Sequence, residues 1–205
     1  MTTPKGQVDF YFDFSSPYSY MAAEHIDALA AKHGHTVNWR PIMLGVIFKS
    51  TGAIPLTEQH PWKARYAVMD FQRSARMAGL PFRTPSRFPQ AGHHAARIVI
   101  ALQTQAPAQA APFARAVFRA LFSQDADIQQ IDTLAAIGRE LGIDETVLRA
   151  AGQDAAVKAK LVANNEEAVR RQVFGAPTFF VGDEQFWGHD RMPHLEQRLI
   201  EINGG

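Results

Sequence analysis

The chain of 205 residues contains no cysteine. That absence excludes disulfide bridges, thiolate metal sites, cysteine nucleophiles and dithiol redox chemistry at once. A charge excess of one sign is also missing. Lys and Arg number 21 against 20 Asp and Glu, a formal balance of +1, so bulk charge points to no nucleic-acid partner. No window approaches the roughly 18 uninterrupted apolar residues that a membrane span needs. Asp9 and Asp13 interrupt any apolar signal-peptide core near the start, and the expectation is a soluble, cytoplasmic protein. Internal repeats and low-complexity segments are absent too. Apolar residues make up 46% and charged residues 20%, an ordinary globular balance, and a chain of this length buries roughly 70% of its unfolded surface without staples.

The first pattern present has period two. Val8, Phe10, Phe12 and Phe14 alternate with Asp9, Tyr11 and Asp13, and aromatic rings on both faces suggest a strand covered from both sides. Ser16-Pro17 then sets an N-cap residue before a proline at the first helical position. Met21, Ala22, Ile26, Leu29 and Ala30 form an apolar stripe, with Gly34 as terminator. Alternation resumes over residues 36–40, so the opening reads β-α-β.

Residues 42–60 read as an irregular connection, and from Pro61 to Gly175 every pattern is helical. The spacing predicts helices over 61–78 closed by Gly79, 92–105 closed by Pro107, 112–122, 132–141 capped by Asp132, 145–151 capped by Asp144 and 154–173 capped by Asp154. The chain then returns to strands at 178–181 and 185–187 around the Gly182-Asp183 turn, followed by a helix carrying Leu195, Leu199 and Ile202. The expected fold is α/β, with residues 7–41 and 175–203 as one discontinuous domain and 42–174 as a connection and an inserted all-helical domain.

Two stretches carry candidate chemistry. Ser16 stands where a strand passes into a helix N-terminus, a place whose free N–H groups and dipole favour an anion. Read alone, Ser16 is first a helix cap, although a capping hydroxyl can still donate its proton outward. The second stretch, Gly175-Ala176-Pro177-Thr178, sets a proline before a strand, where a cis peptide bond is an option.

Asp9-Phe10-Tyr11-Phe12-Asp13-Phe14, Ser16-Pro17-Tyr18-Ser19-Tyr20, Val173-Phe174-Gly175-Ala176-Pro177-Thr178-Phe179 and Trp187-Gly188-His189-Asp190-Arg191 occur in this order over nearly the whole chain. Together they resemble the DsbA-type thioredoxin fold, in the branch of 2-hydroxychromene-2-carboxylate isomerases and kappa-class glutathione transferases. Redox members of the wider family open the helix with Cys-x-x-Cys; here the stretch reads Ser16-Pro17-Tyr18-Ser19, and the resemblance implies that the thiol comes from bound glutathione. Ser16 is then the catalytic residue, donating a hydrogen bond to the glutathione sulfur. Ser16, Pro17, Tyr18, Ala176, cis-Pro177, Trp187, Gly188, His189 and Asp190 form the implied glutathione site, with Asp190 facing the γ-glutamyl ammonium group. Isomerases of the branch carry asparagine where this chain has His189, and kappa transferases carry one near position 53, where this chain has Ala53.

The implied activity is glutathione-dependent isomerisation of a 2-hydroxychromene-2-carboxylate to trans-o-hydroxybenzylidenepyruvate, by thiolate addition, bond rotation and elimination. The resemblance also implies a role in aromatic-compound catabolism and a homodimer. One alternative is a kappa-like transferase that leaves glutathione on its product; another is a thioredoxin-fold binding module without catalysis. Lys49 and Lys63 are the implied substrate-binding cations, whereas the other basic residues of 63–87 read as a solvated helical face. Asp9 and Asp13 read as edge or solvent-facing carboxylates. The eight histidines show no metal-ligand spacing, so no metal is expected. Phe113, Phe118 and Phe122 read as core.

Overall fold

The computed structural model describes residues 6–204. Strand β1 (Gln7–Phe12), helix α1 (Pro17–Lys32) and strand β2 (Thr36–Pro41) form a β-α-β unit in which β1 and β2 run parallel. Helices α2 (Leu44–Thr51), α3 (Pro61–Met77), α4 (His93–Gln105), α5 (Pro107–Gln124), α6 (Ile131–Glu140), α7 (Glu145–Ala151) and α8 (Ala155–Arg170) follow. The hairpin β3 (Thr178–Val181) and β4 (Glu184–Trp187) leads into α9 (Met192–Gly204). Strand order is β2-β1-β3-β4, with β3 antiparallel to β1 and β4 antiparallel to β3.

The period-two pattern sorts the two faces of β1. Val8, Phe10, Phe12 and Phe14 join α1, α4, α5 and α9 in one buried cluster. Phe10 stacks on Phe179 of β3 at 5.3 Å and meets Trp39 of β2 edge-on at 5.0 Å, so rings tie three strands together. Phe113, Phe118 and Phe122 are fully buried in this cluster, as core. Tyr11 points the other way, packing with Ile42, Ile47, Ala168, Val173 and Phe180. The sheet is therefore covered on both faces.

Asp9 and Asp13 are not solvent-facing; both are almost completely buried. Asp9 accepts from Asn38 Nδ2, Arg40 Nε and Arg171, each at 2.7 Å. Two cations and an amide replace the water that the carboxylate loses, which lets an acidic residue sit inside the sheet. Alternation gives the face of a strand residue but not what covers that face.

Element boundaries differ in places. The connection 42–60 holds α2, whose opening N–H at Leu44 is met by Asp13 from across the fold. Pro107 does follow the end of α4, but it also opens α5 as its first helical residue, so α5 begins at Pro107 rather than at 112. The cap position of α6 is Gln130, with Asp132 inside the first turn. Asp144 and Asp154 cap α7 and α8 by accepting first-turn N–H groups, and α8 ends at Arg170. Among the described residues, no helix is long and apolar enough to cross a membrane.

Candidate active site

The chain leaves β1 at Phe12 and turns through Asp13 into the cap of α1. Asp13 Oδ1 accepts the Ser15 N–H at 2.7 Å, and its Oδ2 accepts the Leu44 N–H at 2.5 Å. One carboxylate thereby pins the β1–α1 turn to the start of α2. Burial pushes the Asp13 carboxyl above its ordinary range, and the backbone donors at Leu44 and Ser15 oppose that shift. Nothing in the sequence marked Asp13 for this role beyond its place three residues before Ser16.

Ser16 is the N-cap of α1, in extended conformation, with Pro17 at the first helical position. Its Oγ accepts the Ser19 N–H at 3.1 Å and donates to the Ala176 carbonyl oxygen at 3.0 Å. Cap and donor are thus one hydroxyl, 5% exposed. The Tyr18 N–H, in the same first turn, has no acceptor among the described residues.

The Ala176–Pro177 peptide bond is cis. The Ala176 N–H has no acceptor among the described residues, and the flanking bend is held by Thr178 Oγ1 donating to the Gly175 carbonyl at 2.8 Å. Pro177 in turn accepts the Gly188 N–H at 3.0 Å, which draws the end of β4 toward the same place. Gly188 has φ +107°, and a Cβ there would lie 2.4 Å from Asp190 Oδ1. Only glycine lets the chain turn here with the Asp190 carboxylate folded beside it. Gly175 is constrained differently: a Cβ would stand 2.6 Å from Trp187 Nε1. Trp187 is half-exposed and leans on Phe174 at 4.8 Å, an exposed aromatic that belongs to the motif over residues 173–179 but not to the implied site.

His189 stacks on Tyr18, with ring centroids 4.8 Å apart and planes at 6°. Burial lowers the His189 pKa, while Asp190 and Asp70 work against the shift. The Tyr18 hydroxyl donates to Asp70 Oδ2 at 2.5 Å. Asp190 is exposed, with Arg191 at 3.3 Å.

The structure therefore joins Ser16 to Ala176, Gly188 to Pro177 and His189 to Tyr18 by direct contacts, with Pro17, Trp187 and Asp190 next to them along the chain. Lys49, in the last turn of α2, and Lys63, in the first turn of α3, are exposed, and their ammonium groups have no hydrogen-bond or ion-pair partner among the described residues. The basic run has fewer free charges than its composition implies. Arg73 pairs with Asp70, Arg83 with Asp125 and Arg87 with Asp127.

A parallel β-α-β half, an antiparallel hairpin and a last helix, with a cis-proline loop against the first helix N-terminus, define a thioredoxin-fold protein. A family model for the DSBA-like thioredoxin domain matches residues 7–200. The chain belongs to the DsbA-like thioredoxin family, in the branch of enzymes that holds the 2-hydroxychromene-2-carboxylate isomerases and kappa-class glutathione transferases. It is 32% identical to a 2-hydroxychromene-2-carboxylate isomerase of Pseudomonas putida over 94% of this chain and 93% of that one. Identity to glutathione S-transferase kappa 2 of Caenorhabditis elegans is 27%, over 95% and 92%. A solved 2-hydroxychromene-2-carboxylate isomerase superposes with a TM-score of 0.82 at 31% identity, covering 96% of this chain and 95% of the other.

Proposed function

We propose that the protein is a glutathione-dependent isomerase of an aromatic carboxylate, of the 2-hydroxychromene-2-carboxylate type. The observation that carries the reading is the Ser16 hydroxyl at the mouth of α1, 3.0 Å from Ala176 O beside cis-Pro177, in a chain that has no thiol. The similarity to isomerases over more than nine-tenths of both chains supports the same reaction class.

The residues fit a thiol-bearing tripeptide. Ala176 offers an unused N–H next to its carbonyl, the pair that an extended backbone takes up as a short added strand. The Ser16 hydroxyl and the Tyr18 N–H are donors at a positive helix end, suited to an ionised sulfur. Once a ligand N–H occupies the Ala176 carbonyl, the Ser16 proton is free to turn toward that sulfur while its oxygen goes on capping Ser19. Asp190, held close by Gly188, supplies a carboxylate for the γ-glutamyl ammonium group, and Trp187 and His189 flank it.

Bound glutathione would supply a thiolate able to add reversibly to a conjugated double bond, so that the bond rotates before the sulfur leaves. The chain's part is to keep that sulfur ionised with Ser16 and the α1 N-terminus, and to hold it in place through Ala176. Lys49 and Lys63, both unpaired and exposed, are the cations assigned to the substrate carboxylate.

Calorimetry with glutathione, followed by product analysis with the chromene carboxylate, tests the assignment. Binding, turnover and unchanged glutathione are expected. A glutathione adduct that accumulates with turnover moves the assignment to a kappa-like transferase, a reading favoured by the 27% identical relative. Absence of binding heat leaves Ser16 as a cap only.

A further inference from the structure

Tyr18 lies two residues beyond Ser16, and His189 directly precedes Asp190. Their stacked rings join the first turn of α1 to the turn after β4. The Tyr18 ring is fixed from behind by α3, where Asp70 accepts a hydrogen bond from its hydroxyl at 2.5 Å and Phe71 meets the ring edge-on at 5.1 Å. Arg73 holds Asp70 from its other oxygen at 3.2 Å. A phenol donating to a carboxylate is a charge-assisted bond of narrow geometry. It turns an aromatic ring with two free torsions into a fixed wall.

We propose that Asp70 is a positioning residue: acting through Tyr18, it holds the His189 ring and so sets the separation between the Ser16 hydroxyl and the Asp190 carboxylate. These are the two ends between which glutathione lies in the reading above, and the role assigned to the spacing rests on that reading. The stack itself does not. Asp70 makes no hydrogen bond or ion pair to Ser16, Ala176 or Asp190 among the described residues, so its bonded link to them runs through the ring. The Tyr18 phenol is pushed up, first by burial and then by the bond to Asp70, so it remains a donor across the working pH range.

Histidine titration by NMR in the protein without ligand is the test, on Asp70→Ala, Asp70→Asn and the wild type, with circular dichroism to confirm folding. The groups acting on His189 are Asp190 beside it and Asp70 across the Tyr18 ring, both raising its pKa, against burial, which lowers it and is the largest cause; the stacked Tyr18 ring covers one face of the imidazole. Alanine removes both the acceptor and the charge; the ring swings free and His189 is uncovered, and because burial is the largest cause acting on it, its pKa rises toward the ordinary value despite the lost charge. Asparagine keeps an acceptor for Tyr18 but no charge, so the stack stays and the pKa falls further. Opposite signs in the two variants support the proposal; a fall, or no change, in the alanine variant overturns it.

With glutathione, Asp70→Ala is expected to raise KM about tenfold with little change in kcat at saturation, and Asp70→Asn to restore most of it. An unchanged KM in the alanine variant overturns the assigned role. If wild-type protein ignores glutathione while the NMR shifts take opposite signs, the ligand assignment falls and the positioning role of Asp70 stands.

Discussion

Ser16 and Ala176, separated by 160 positions in the chain, share one hydrogen bond of 3.0 Å from hydroxyl to carbonyl. The same oxygen also accepts the Ser19 N–H. A single side chain therefore starts a helix and closes the thioredoxin-like half of the fold around its cis-proline loop.

Separating those two duties is the first prediction. Ser16→Ala removes cap and donor together, costing about 1 kcal/mol of stability and about 10²–10³ in turnover, as loss of one charge-stabilising donor usually does. Ser16→Asp keeps a good cap but places a negative charge against the sulfur. Its melting temperature is expected to stay near wild type while turnover is lost; a stable Asp variant with normal turnover would contradict the donor role.

Gly188→Ala should weaken glutathione binding without unfolding the protein. The backbone at φ +107° is open only to glycine, and the new Cβ would displace the Asp190 carboxylate 2.4 Å away. Strain of about 1–3 kcal/mol is expected, read as a lower urea midpoint, while the displaced carboxylate raises the dissociation constant measured by calorimetry. Normal affinity in this variant removes Asp190 from the site.

Removing Asp9 should damage the fold rather than the chemistry. Asp9→Ala removes the buried carboxylate that joins Asn38, Arg40 and Arg171, and breaking such a pair from one side costs about 3–5 kcal/mol. Urea denaturation measures the loss. A change under 1 kcal/mol, taken as a rough threshold, would mean that water reaches these arginines.

Acid should destabilise the protein in a window set by histidines. His93, His94 and His189 all have pKa values lowered by burial, with His94 and Arg97 adding to the shift at His93 and Arg97 adding at His94. Because each folded pKa lies below the unfolded one, the unfolded chain binds more protons as pH falls. The stability from keeping them neutral is fully present above pH ~6.5 and is lost as pH drops through the folded values. Urea midpoints at pH 7 and pH 5 should differ, and a triple His→Gln variant should flatten the difference; an equal slope in the variant assigns the effect elsewhere.

Local sequence determined the elements whose signals are short-range. The alternation from Val8 to Phe14 gave a strand with two buried faces, Ser16-Pro17 gave a helix start, and Asp144 and Asp154 gave caps, because each is decided within a turn or two of chain. Lack of cysteine by itself removed thiol–disulfide exchange. Tertiary structure decided the rest. Asp9 is buried because Arg171 arrives from 162 positions away, and α2 starts at Leu44 because Asp13 reaches across to it. The bond from Tyr18 to Asp70 joins two helices whose pairing no periodicity records. A carboxylate looks alike in sequence whether it faces water or an arginine; only the folded chain supplies the partner, and the partner fixes its charge, its burial and its use.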